Sequence, residues 1–88
     1  MKKIFGYKKV IAEAGQEIIK EELRDNTKQK FYEEFNIHNL GEETIHIQLN
    51  DGNWIELESG EGFSTRHRVY KCEVQEQGAI VKYSGVAY

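Results

Sequence analysis

Two short runs, TIHIQLN and WIELE, flank the turn signal Asn50-Asp51-Gly52-Asn53, and both alternate apolar and polar residues. Such alternation puts one set of side chains on each face of an extended strand, so Ile45, Ile47, Leu49, Ile55 and Leu57 point inward while His46 and Gln48 point outward. Cross-strand partners share a face, which restricts the loop. A two-residue loop, Asp51-Gly52, would set Leu49 against Trp54 and Ile47 against Glu56, mixing the wet and dry sides, and is excluded. A three-residue loop over residues 51–53 pairs Leu49 with Ile55 and Ile47 with Leu57. It gives Asn53 the left-handed conformation that asparagine tolerates. A five-residue loop keeps the same facing.

The remainder reads outward from this hairpin. Residues 4–12 are β-branched and aromatic and form a first strand, followed by a turn at residues 13–16 around Gly15. Phe31, Phe35 and Ile37 share parity and face one side of a strand, and residues 39–43 turn the chain at Gly41. Beyond Gly60-Glu61-Gly62, Phe63 starts another extended segment. Tyr70, Cys72 and Val74 share a face, and AIVKYSGVAY closes the chain. With no proline and eight glycines, Gly, Asn and Asp carry the turns. Residues 17–35 admit two readings. Glu- and Lys-rich composition and the four-apart series Ile19, Leu23, Thr27, Phe31 favour a helix of two or three turns. The turn signal Asp25-Asn26-Thr27 favours strand, turn, strand, which is preferred. A faint internal repeat supports that preference: VIAEAGQEI (residues 10–18) aligns without a gap on IELESGEGF (residues 55–63), and FNIHNLG on CEVQEQG. The expected fold is a single all-β domain over residues 1–88, an antiparallel β-sandwich or flattened barrel of about seven or eight strands. The alternative is α+β, with one helix inside residues 17–35.

Chemistry is sparse. The histidines, His38, His46 and His67, are dispersed without a His-x-His pair, and a zinc site needs three or four convergent ligands. Cys72 is the only cysteine, so no internal disulfide forms, in keeping with a reducing compartment. Ser64-Thr65 beside His67 supplies reactive residue types without a triad, and Gly60-Glu61-Gly62 places a carboxylate where a phosphate loop needs none. No enzyme, metal or cofactor is expected. Twelve basic against fifteen acidic residues, net −3, disfavours nucleic acid. No apolar run fits a signal peptide or membrane span, so cytosolic synthesis is expected. The candidate contact residues are Trp54, an aromatic of opposite parity to the core, and the basic cluster Arg66, His67, Arg68. Against these stand plainer roles, a tryptophan folded over a sheet edge and a solvated basic loop.

The pieces FNIHNLGEETIHIQLNDG, IELESGEGF and GAIVKYSGVAY together resemble small β-sandwich accessory proteins encoded among the structural genes of tailed bacteriophages and prophages. The match runs over residues 39–49, 55–61 and 79–88 and rests on turn and core positions. The resemblance implies a virion- or tail-associated building block, oligomeric and without a catalytic site, made in the bacterial host cytoplasm. Its partners would be copies of itself and other particle proteins. Two other functions suit a small acidic domain: a carbohydrate-binding module using Trp54, and a phage-encoded inhibitor of a host protein.

Overall fold

A computed structural model describes residues 1–88. Eight strands and one short helix follow in the order β1 (Lys3–Ile11), β2 (Gln16–Glu17), α1 (Lys20–Asn26), β3 (Glu34–Asn39), β4 (Ile45–Leu49), β5 (Trp54–Leu57), β6 (Gly62–Thr65), β7 (Cys72–Val74) and β8 (Ile80–Ala87). They form two four-stranded antiparallel sheets, β1-β8-β3-β6 and β2-β7-β4-β5. The pairs β4–β5, β3–β6, β2–β7 and β1–β8 nest inside one another like a long hairpin rolled into two layers, which is the jelly-roll arrangement. The sandwich has open edges at β1, β6, β2 and β5 and does not close into a barrel.

Sequence alternation becomes packing most clearly in β8, whose residues are buried at every second position: Val81, Tyr83, Gly85 and Ala87. Beside them on the same inner face are Phe35 and Ile37 of β3, and from the other sheet come Ile45 and Ile47 of β4, Leu57 of β5 and Val74 of β7. Large apolar side chains buried this way contribute roughly 1.5–3 kcal/mol each. The centre is aromatic. Tyr32 stacks on Phe35 with ring centroids 5.8 Å apart, and Tyr83 is tilted against both. Asn39, fully buried, is the polar exception. Its amide donates to the carbonyls of Glu43 and Leu57 and its oxygen accepts from the Gly41 N–H, tying the end of β3 to β5.

Four expectations need correction. The stretch from Lys20 to Asn26 is a helix, not strand, turn, strand. Ile19, Leu23 and Thr27 are all buried, so the four-apart stripe governs this segment. The carboxylate of Glu17 accepts the Lys20 N–H at the helix start, and the Thr27 hydroxyl donates to the Leu23 carbonyl at its end. In the central hairpin the two-residue turn is absent, as parity requires, but the loop has five residues rather than three: Ile45 pairs with Leu57, Ile47 with Ile55 and Gln48 with Trp54. The left-handed positions are Asn50 (φ 54°) and Asp51 (φ 60°), with Gly52 N–H donating to the Leu49 carbonyl, as in a type I′ turn; Asn53 is an extra residue on the return strand. Tyr32, not Phe31, occupies the core position ahead of β3, because it forms an isolated bridge with Val69. That bridge also buries Val69 and turns Tyr70 outward, so Tyr70 does not share the face of Cys72 and Val74.

The internal repeat is visible in the structure. Gly15 (φ 70°) and Gly60 (φ 81°) occupy equivalent turns that carry the chain from one sheet to the other. In each, the residue after glycine donates its N–H to the carbonyl three positions back, Gln16 to Glu13 and Glu61 to Glu58. In each, the same side chain also accepts that earlier residue's N–H (2.8 and 2.7 Å). Exchanging β1–β4 with β5–β8 converts one sheet's strand order into the other's. The equivalence ends between β2 and β3, where α1 stands in place of the loop between β6 and β7.

Candidate functional site

The residues singled out from sequence gather at one end of the sandwich. Asn50, in the β4–β5 loop, binds the segment that follows β6: its amide donates to the Arg68 carbonyl (2.6 Å), and its oxygen accepts from the N–H groups of Tyr70 and Lys71 (2.9 and 3.2 Å). An ion pair between Lys71 and Asp51 (2.7 Å) adds a second tie and raises the lysine pKa. Trp54, 42% exposed, opens β5 directly after this loop. The loop from residue 66 to 71 therefore lies beside the hairpin that carries the tryptophan.

Within that loop the three basic residues behave differently. Arg66 extends into solvent, 3.7 Å from the Glu34 carboxylate. His67 is exposed and donates its backbone N–H to the Thr65 hydroxyl. Arg68 lays its guanidinium over the Phe31 ring, 4.9 Å from the centroid, a cation–π contact that anchors it to the protein. Tyr70, 55% exposed, completes the surface. Sequence reading missed Tyr70, assigned inward by parity, and missed Asn50, whose role depends on a loop eighteen residues away.

A second surface lies on the outer face of β3, β8 and β6. Ser64 donates to the Asn36 amide oxygen (2.8 Å), and the Asn36 amide nitrogen lies 3.3 Å from the Ser84 hydroxyl, a polar ladder across three strands. Two shallow grooves flank Asn36. One, of about 340 Å³, runs between Glu34, Ser64 and Arg66; the other, of about 250 Å³, lies among Tyr7, His38, Lys82 and Ser84. The Lys82 ammonium sits 4.5 Å from the Tyr7 ring centroid.

No three of the His, Cys, Asp and Glu side chains converge as metal ligands. His46 has carboxylates on both sides, Glu76 at 2.6 Å from Nδ1 and Glu56 at 3.8 Å from Nε2, which fixes the ring on the outer face of β4. Cys72 is buried, and burial, with Glu17 nearby, pushes its thiol well above the usual range; that disfavours the thiolate a nucleophile requires. Ser64, Thr65 and His67 are not assembled into a triad: Ser64 bonds Asn36 while Thr65 accepts from the His67 backbone.

No family model matches the chain significantly, nor does any curated protein or solved structure.

Proposed function

We propose that this chain is a non-enzymatic structural or accessory protein of a bacteriophage or prophage particle, acting by self-association and by docking on the larger assembly. The observation that carries it is the distribution of exposed apolar side chains on a jelly roll with open edges. Ile4, Tyr7 and Ile11 lie exposed on β1, and Trp54 and Tyr70 stand out at the far end. Open apolar edges are what a chain that works by strand-edge or patch contact presents. The eight-stranded, two-sheet arrangement is widespread in viral capsid domains, which adds to the resemblance of the turns and strands. A fold alone does not fix a function. The test is therefore direct: particles purified from the producing bacterium are analysed by quantitative mass spectrometry. A fixed copy number per particle is expected, and recovery only in the particle-free lysate would count against it.

A carbohydrate-binding module is the second reading, and a specific observation moves its seat. The grooves lined by Asn36, Ser64, Ser84 and His38, with Tyr7 beside them, offer hydroxyl-matching groups and an aromatic face. They lie on the sheet opposite Trp54. Saturable shifts of Asn36 and Tyr7 resonances in a glycan titration would support that use, and unchanged spectra would remove it.

A further inference from the structure

Strands β1 and β5 are edge strands of different sheets on opposite sides of the sandwich, and their free edges match each other. Ala12 donates its N–H to the Ala79 carbonyl, so even-numbered residues at this end of β1 face β8. Backbone alternation then turns the N–H and C=O of Lys9 and Ile11 outward, away from the sheet. On the other side His46 uses its backbone toward β7, its N–H donating to Glu76 and its C=O accepting from Gln75. Its partner Glu56, and with it Trp54, therefore directs N–H and C=O to the free edge of β5.

Resting on the reading that the chain acts by association, we propose that β1 of one copy adds antiparallel to β5 of the next, with Lys9 opposite Glu56, Val10 opposite Ile55 and Ile11 opposite Trp54. Each pair is chemically matched. Lysine meets carboxylate. Val10 and Ile55, both half-buried at the rim of the core, close one seam. Ile11, 67% exposed, and Trp54 cover one another on the outer face. Facing also agrees, since Lys9 and Ile11 lie on the outer side of their sheet and Trp54 and Glu56 on the outer side of theirs. Sheet β1-β8-β3-β6 of one molecule thus continues into sheet β5-β4-β7-β2 of its neighbour.

Charge selects this arrangement over the symmetric ones. Strand β1 carries Lys3, Lys8 and Lys9 with no acidic residue, whereas β5 carries Glu56 and is followed by Glu58. Pairing β1 with β1 or β5 with β5 sets like charges together, which is destabilising across a ladder. Each copy offers one edge of each kind at opposite sides, a head-to-tail contact that generates a ring or a filament rather than a closed two-fold dimer.

The test uses charge reversal on the full chain, read by sedimentation velocity over a concentration series and by the emission of the single tryptophan. Wild type is expected to associate reversibly, with Trp54 emission shifting to the blue as concentration rises. Lys9→Glu and Glu56→Lys, both at exposed positions, are each expected to weaken association about tenfold or more. An equimolar mixture of the two variants restores it, because every contact in an alternating array again pairs Glu with Lys. A wild type that stays monomeric throughout would overturn the pairing. So would association that both variants retain, or a mixture no stronger than either alone. The copy number in purified particles is measured separately, so loss of this contact and loss of the particle role are distinguishable.

Discussion

The ring of Tyr32 lies against the backbone of Gly85, so close that a β-carbon at residue 85 would overlap the ring's Cγ and Cδ1. Gly85 is the β8 residue opposite Phe5 on one side and Phe35 on the other, so three aromatic side chains surround a position with none of its own. Gly85→Ala should therefore destabilise the protein by roughly 1–3 kcal/mol through overpacking. The Tyr32 hydroxyl is buried without a hydrogen-bond partner, so Tyr32→Phe should be neutral or stabilising by about 1 kcal/mol. Urea unfolding of both variants checks the pair, and a large loss for Tyr32→Phe would reveal a partner for the hydroxyl.

The two sheet-crossing turns provide a test of the duplication. A β-carbon at Gly15 or Gly60 meets nothing within 4 Å, so alanine at either position suffers only from the left-handed backbone. Gly15→Ala and Gly60→Ala should each cost about 1 kcal/mol or slightly more, and by similar amounts. Thermal or urea melts that separate the two widely would break their equivalence.

Cys72 should report global unfolding. With its thiol buried and its ionisation suppressed, iodoacetamide should label it only through unfolded molecules. Labelling followed by intact mass should track the urea transition; rapid modification in native buffer would mean that β7 opens locally.

Glu17 sets a pH dependence whose sign is fixed. Partial burial raises its carboxyl above the ordinary 4.5, against the lowering effect of the Cys72 and Lys20 N–H groups it accepts. A raised carboxyl binds its proton more tightly in the folded state, so its stabilising contribution is complete below about pH 4.5 and declines as pH rises through the raised native value. Asp25 and Glu33, lowered by Arg24 and Lys2, act in the opposite sense: their contribution is present above the unfolded value and lost as pH falls through the native one. The stability of wild type minus that of Glu17→Gln should thus decrease with rising pH over the weakly acidic range. Urea titrations at several pH values measure it, and an increase would contradict the assigned cause.

What sequence revealed and what it hid divides by range. The facing of Ile45, Ile47, Ile55 and Leu57 was legible because a strand's alternation is local. The pairing missed by two residues because Asn50 and Asp51 take the left-handed positions and Asn53 adds one residue to the return. Helix α1 was present in the spacing of Ile19, Leu23 and Thr27, yet its ends are tied by Glu17, which accepts the Lys20 N–H, and by the Thr27 hydroxyl, neither of which a propensity argument weighs. Tyr70 defeats parity because Val69 is drawn inward by Tyr32, thirty-seven positions earlier. At the candidate end, Trp54 and Arg66 were recognisable by type. Their assembly through Asn50, and the match of β1 to β5, depends on strand order, which a linear pattern does not encode.

Every hydrogen-bonded strand pair in this protein joins one of β1–β4 to one of β5–β8. Neither half owns a sheet. As the chain leaves the ribosome, its first four strands have no mate, and only when β5 emerges can β4 form the one short-range hairpin. Pairing then spreads backward through the polypeptide, β3 waiting for β6, β2 for β7, and β1 for β8. Folding is thereby deferred until β8 has emerged, and until then β1 and its apolar residues are exposed to whatever they meet first.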